Sequence, residues 1–190
     1  MSVTDVPLEA PSPPVEKRRV KSLVLVNTGD GKGKSTAAFG TMLRAVARGW
    51  PVAVVQFLKS GTWHVGEEDI GRKLGVDWWA LGDGFTWDST NMDETQAVAL
   101  EAWSFAAATI SAGAHRLVIL DEITYPINWG WLPVADVVDA IRNRPADVTV
   151  IVTGRDCPRE IINIADTVTE MRKIRHAYDT GVMAKKGIDY

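Results

Sequence analysis

Apolar positions along this chain fall into short unbroken runs, separated by stretches with helical spacing. Leu23-Val24-Leu25-Val26 is the first run, rich in β-forming residues and followed by glycine, and it reads as a buried strand. Phe39, Met42, Leu43 and Val46 then recur at i, i+3, i+4 and i+7, the stripe of a core-facing helix, and Gly49 ends it. Val52 to Phe57 is a second buried strand. Residues 58–92 are less regular, and predict a helix around 67–74 and a short strand around 76–81. A long helix is expected over 93–112, with Asp93 or Asn91 as its cap and Gly113 at its end. Leu117 to Leu120 is a third buried strand. Pro133 suits a first helical turn, and Val134, Val137, Val138 and Ile141 repeat the i, i+3, i+4, i+7 stripe. Val148 to Thr153 forms a fourth buried strand, Pro158 opens a short helix, and 167–174 is a last strand. Residues 176–190 show no clear periodicity.

Unbroken apolar strands separated by helices imply a mostly parallel sheet covered by helices on both faces, because alternation with polar residues would mark a solvated face. No internal repeat is present and no linker follows residue 20. Pro7, Pro11, Pro13 and Pro14 mark residues 1–20 as a flexible Pro-rich segment. The expectation is therefore one α/β domain over 21–190.

Composition narrows the function class. Hydrophobic residues are 46% and charged residues 24% of the 190, ordinary globular values. The net charge of −3 argues against a nucleic-acid footprint. One cysteine permits no internal disulfide. The N-terminus lacks an apolar signal region, and no apolar run approaches the roughly 20 residues of a membrane helix. A cytoplasmic protein with no membrane partner is expected. The chain holds 8 tryptophans, including Trp63, Trp78, Trp79, Trp87, Trp103, Trp129 and Trp131. They fit a core or an interface first, with a wall for a large flat ligand as the alternative.

The strongest local signal is Thr28-Gly29-Asp30-Gly31-Lys32-Gly33-Lys34-Ser35-Thr36, set between the first strand and the first helix. That context defines a phosphate-binding loop. Glycines let the backbone wrap closely around an anion, and the helix aims its positive end at the same point. Lys34 can add a point charge to a terminal phosphate, and Ser35 or Thr36 can offer a hydroxyl to Mg²⁺. Thr28 stands where the usual pattern has its first glycine.

Asp121-Glu122 follows the third buried strand directly. Carboxylates at the C-terminal end of such a strand sit where open α/β sheets bind ligands, and in P-loop proteins an acid there helps to hold the metal. Arg155 follows the fourth strand at the same end of the sheet, and its fork suits phosphate oxygens. Arg44 lies on the first helix, either as a phosphate contact or exposed to solvent. His64, His115 and His176 have no metal-ligand spacing, and Cys157 carries no assigned chemistry.

In this order, the motifs resemble the CobA/BtuR/CobO family of ATP:corrinoid adenosyltransferases. The resemblance runs from about Lys21 to Tyr190. It is carried by the loop, by Gly84-Phe85-Thr86-Trp87, by Leu120-Asp121-Glu122-Ile123-Thr124-Tyr125, by Thr153-Gly154-Arg155 and by the ending Gly187-Ile188-Asp189-Tyr190. The family's loop shares the missing first glycine. The resemblance implies a RecA-like P-loop NTPase fold, usually as a homodimer. It implies ATP as co-substrate, Mg²⁺ or Mn²⁺, a reduced corrinoid as substrate and an electron donor that supplies Co(I). It further implies a reversed nucleotide, with Co(I) attacking the ribose C5′ and tripolyphosphate leaving.

Residue by residue, the resemblance implies that Gly29, Asp30, Gly31, Lys32, Gly33, Lys34, Ser35 and Thr36 hold phosphates and metal. Arg44 and Arg155 match arginines near the phosphates, and Glu122 matches a metal-associated acid beside Ser35. Phe85 and Trp87 match an aromatic pair that packs below the corrin and displaces its lower axial ligand, leaving four-coordinate Co(II), which is easier to reduce. Asp156-Cys157-Pro158 departs from the family, which often has His after the Cys. Two other readings use the same loop: a small kinase or NTPase that cleaves the γ-phosphate, and an ATP-dependent corrinoid-binding switch.

Overall fold

The computed structural model describes residues 16–59, 65–82 and 92–189. Phe85 and Trp87 lie outside them, as do Asn91 and the side chain of Asp93, the two expected caps.

The expected alternation of strand and helix is present. Strands β1 (Val24–Thr28), β2 (Val52–Gln56), β3 (Asp77–Ala80), β4 (Leu117–Asp121), β5 (Thr149–Thr153) and β6 (Thr167–Glu170) form one sheet in the order β3-β2-β4-β5-β1-β6. Every pairing is parallel. The helices are α1 (Lys34–Val46), α2 (Gly66–Lys73), α3 (Met92–Ala112), α4 (Thr124–Asn128), α5 (Val134–Arg142) and α6 (Arg159–Ile162). The result is the P-loop α/β fold, with helices on both faces. No described helix is long and apolar enough to cross a membrane.

Strands β2, β4 and β5 are buried at every position, so their mostly apolar residues meet a core on each face of the sheet. In β2, Val52 and Val54 join the cluster with Ala38, Phe39, Met42 and Ala45 of α1. Ala53 and Val55, pointing the other way, join Ala102, Trp103 and Ala106 of α3 and Val137, Val138 and Ile141 of α5. The period of two along a strand thus feeds two separate cores. Each fully buried branched side chain contributes roughly 1.5–3 kcal/mol. Trp78 is enclosed against Phe39, ring centroids 5.0 Å apart. Among the described tryptophans, Trp78 and Trp103 are core, whereas Trp129 is exposed, its ring tilted against that of Trp131 with centroids 4.7 Å apart.

Two elements differ from expectation. The last strand stops at Glu170 rather than 174, because its partner β1 ends at Thr28. Beyond it, Met171 donates its N–H to the Thr28 carbonyl and accepts from Gly31 N, so the chain turns onto the loop instead of extending the ladder. Helix α4 carried no periodic signal, since five residues are too few to show a stripe. Its Pro126 sits in the first turn, where no intrahelical N–H is needed.

Candidate active site

All six strands run the same way, so their C-terminal ends share one edge of the sheet. That edge gathers the glycine loop after β1, Lys59 after β2, Asp121-Glu122 at the end of β4, and Gly154-Arg155 after β5. It is the edge where open α/β sheets take ligands.

The loop is held from below by the C-terminal segment. Gly31 donates its N–H to the Met171 carbonyl at 2.6 Å, and a Cβ on Gly31 would lie 2.7 Å from that same oxygen. Only glycine permits this approach. Gly29 and Gly33 take φ of 95° and 119°, in the left-handed region. Lys34 reaches back across the loop, its Nζ donating to the Gly31 carbonyl at 2.8 Å. Helix α1 has no side-chain cap, so its positive end is left to an anion. Lys32 pairs with Asp189 at 2.6 Å, bringing the chain's end against the loop.

The acidic pair divides into two roles. Asp121 is fully buried. Its Oδ1 accepts from Thr153 Oγ1 at 2.7 Å, and its Oδ2 accepts from Gln56 Nε2 at 2.8 Å. Thr153 Oγ1 in turn accepts the Glu122 N–H at 2.9 Å, and Gln56 Oε1 accepts the Trp78 indole N–H at 2.9 Å. Glu122 adopts φ of 65°, a strained left-handed value for a side-chain-bearing residue, and its carboxyl lines the cavity. Losing Gln56 would strand both the Trp78 N–H and one Asp121 oxygen. Gln56→Leu is expected to lower stability by roughly 2–5 kcal/mol, read as the urea midpoint at constant slope.

A cavity of about 290 Å³ lies between these elements, lined by Lys34, Ser35, Lys59, Glu122, Arg155 and His176 among others. Its electrostatics are mutually tuned. Burial, and then the charge of Arg155, holds Lys34 below the ordinary lysine value. Burial, and then the neighbouring Asp121, pushes Glu122 up to about 7 against the pull of Lys59, Lys34 and Arg155. The folded protein therefore binds a proton that the unfolded chain, with its carboxyl near 4.5, releases. The unliganded protein is expected to lose stability as pH rises from about 4.5 through about 7. Glu122→Gln should remove that loss, so the variant's urea midpoint should exceed the parent's at pH 8 and not at pH 4.5.

Among the described residues, no cluster of three or more His, Cys, Asp or Glu could hold a metal by itself. Ser35 and Glu122 nevertheless offer hard oxygen donors to one cavity, the donor type that Mg²⁺ or Mn²⁺ prefers when phosphate oxygens complete the shell.

The structure thus brings together Asp30, Gly31, Lys32, Gly33, Lys34, Ser35, Thr36, Glu122 and Arg155. It does not bring Arg44. That residue occupies the last turn of α1, roughly 15 Å along the axis from Lys34 at 1.5 Å per residue. It lines a different surface hollow with Arg48, Trp50 and Thr149. A helix that points its N-terminus at the site carries its later turns away from it. Sequence reasoning missed Lys59, although the strand-end rule that selected Glu122 and Arg155 applies equally to a lysine three residues after β2. Burial pushes the Cys157 thiol up to about 12. His115 pairs with Asp77 at 2.8 Å, away from the cavity residues.

A glycine loop between strand and helix, an acid at the end of β4 and a cavity between them that Lys34, Lys59 and Arg155 line define a P-loop nucleotide-binding α/β protein. Residues 20–190 match the family described as ATP:corrinoid adenosyltransferase BtuR/CobO/CobP. The chain is 46% identical over 170 residues to the corrinoid adenosyltransferase of Escherichia coli K12, covering 90% of this chain and 86% of that one. It is 44% identical to the corrinoid adenosyltransferase CobA of Salmonella typhimurium LT2, again over 90% and 86%. It is 39% identical over 177 residues to the corrinoid adenosyltransferase of Pseudomonas aeruginosa, covering 92% of this chain and 87% of that one. The chain belongs to this family.

Proposed function

We infer that this chain is a transferase that moves the 5′-deoxyadenosyl group of ATP onto the cobalt of a reduced corrinoid. The observation that carries this reading is the convergence of Lys34, Lys59 and Arg155 on one cavity at the end of α1, in a chain of this family. Positive charge gathered there serves a departing polyphosphate. In the reaction, the Co(I) electron pair attacks C5′, the C5′–O5′ bond breaks, and its electrons leave on tripolyphosphate. No side-chain nucleophile is required, because the corrinoid substrate supplies the nucleophile. The protein's part is to hold C5′ in line with cobalt and to stabilise charge on the leaving group.

Lys34, Ser35, Thr36 and the loop backbone bind phosphates, and Arg155 adds a fork to the same group. Ser35 and Glu122 hold Mg²⁺ or Mn²⁺, which would neutralise phosphate charge when bound. By resemblance, Phe85 and Trp87 pack below the corrin. A hydrophobic wedge suits that task, since it offers cobalt no donor atom. An electron donor supplies Co(I). A homodimer in the cytoplasm completes the reading, and the exposed Ile174, Tyr178, Val182 and Met183 of the C-terminal segment offer apolar surface to a second copy.

Anaerobic incubation with Mg-ATP and chemically reduced corrinoid tests the reading. A light-sensitive adenosyl–cobalt absorption that needs both substrates supports it. Unchanged corrinoid, with ATP intact or hydrolysed, overturns it.

A further inference from the structure

We propose that Lys59 is a phosphate-binding residue of this site, held in place by the buried chain Trp78–Gln56–Asp121–Thr153. The proposal rests on the reading of the cavity as the polyphosphate site and adds a residue to it.

The argument begins with an inventory of protons. The Trp78 indole nitrogen can only donate, so the Gln56 oxygen must accept and the Gln56 nitrogen must donate to Asp121 Oδ2. The Glu122 backbone N–H can only donate, so Thr153 Oγ1 accepts there and gives its own proton to Asp121 Oδ1. Two donor-only groups therefore fix the direction of every bond in the chain. Both oxygens of Asp121 are acceptors, and the carboxylate is a fixed, fully buried charge.

A buried charge needs a counter-charge. Lys59 Nζ lies 4.0 Å from Asp121 Oδ2, the ion-pair partner of that carboxylate among the described residues. Both Asp121 oxygens already accept strong bonds, so Lys59 balances charge there without being consumed by it. Its side chain is 22% exposed and lines the cavity with Lys34 and Arg155. An ammonium has three donors, and at most one serves Asp121. Because Lys59 lines the cavity, the remaining donors are available to phosphate oxygens there. Asp121 thus serves the site indirectly, by anchoring a cation.

The test is calorimetric titration of the full chain with inorganic tripolyphosphate, which reads the cavity without corrinoid chemistry. Lys59→Met is expected to raise the Kd about tenfold or more, the effect of losing a charge-assisted hydrogen bond. Lys59→Arg should stay within about threefold, because charge and donors persist. Lys34→Met is the control and should also weaken binding. If Lys59→Met leaves the Kd unchanged while Lys34→Met raises it, Lys59 only neutralises Asp121 and the proposal is overturned. If both leave it unchanged, the reading of the cavity itself fails. Should Lys59→Met not fold, Lys59→Gln makes the same comparison, with the same expected rise and the same overturning result.

Discussion

Lys34→Ala is expected to lower kcat/KM for ATP by about a hundred- to a thousandfold, the effect of deleting one preorganised charge at a developing anion. Lys34 begins α1, and its ammonium spans the loop to the Gly31 carbonyl at 2.8 Å. A phosphate entering the loop meets that ammonium together with the uncapped helix end. The loss should be in function and not in folding. The loop keeps its shape through Gly31 N to Met171 O and Met171 N to Thr28 O, neither of which involves Lys34. Steady-state kinetics at saturating corrinoid, with a melting curve of the same preparation, give the two readings together. The melting temperature should move by no more than a few degrees. A kcat/KM within tenfold of the parent would mean that the loop does not handle the reacting phosphates.

Gly154→Ala should damage both stability and site. Gly154 has φ of 143°, which side-chain-bearing residues rarely adopt, and a Cβ there would overlap Thr124 Oγ1 and lie 2.9 Å from Thr124 Cβ. Strain and overpacking together cost about 3 kcal/mol. For a chain of this size that is a fall of roughly 6–12 °C in melting temperature. The damage reaches function because Arg155 is the next residue, and α4 supports that turn through Asn128 Nδ2, which donates to the Arg155 and Asp156 carbonyls. Thr124 Oγ1 is buried and has no hydrogen-bond partner among the described residues, so Thr124→Ala removes the obstructing hydroxyl without breaking a bond there. The double variant should recover part of the lost melting temperature, a coupling that distant sites would not show. Strict additivity would contradict the packing argument.

Much of this was legible in the chain itself. Leu117 to Leu120 is apolar at every position and Val52 to Phe57 at every position but Gln56, the pattern of a doubly covered sheet, and β2 and β4 lie there. The loop was legible because its chemistry is local: glycines, Lys34 and Ser35 are neighbours in sequence and in space. Glu122 and Arg155 were legible through a rule about strand ends. The Gln56–Asp121–Thr153 network was not, since its members are 65 and 32 residues apart and nothing local marks Gln56 as more than part of a strand. Arg44 is expected near the phosphates by resemblance; the rise of α1 sets it in the last turn of that helix, outside the cavity that Lys34 lines. The strand end at Glu170 also depended on tertiary structure, because the end of β1 and the backbone of the loop terminate it.

The central claim is that this loop serves displacement at C5′ and not attack at the γ-phosphorus. Phosphorus NMR of a completed anaerobic reaction with Mg-ATP and reduced corrinoid separates the two most directly. The account predicts intact tripolyphosphate, equal in amount to the adenosyl–cobalt product. ADP and orthophosphate beside unchanged corrinoid would contradict it and identify a γ-phosphate-cleaving enzyme.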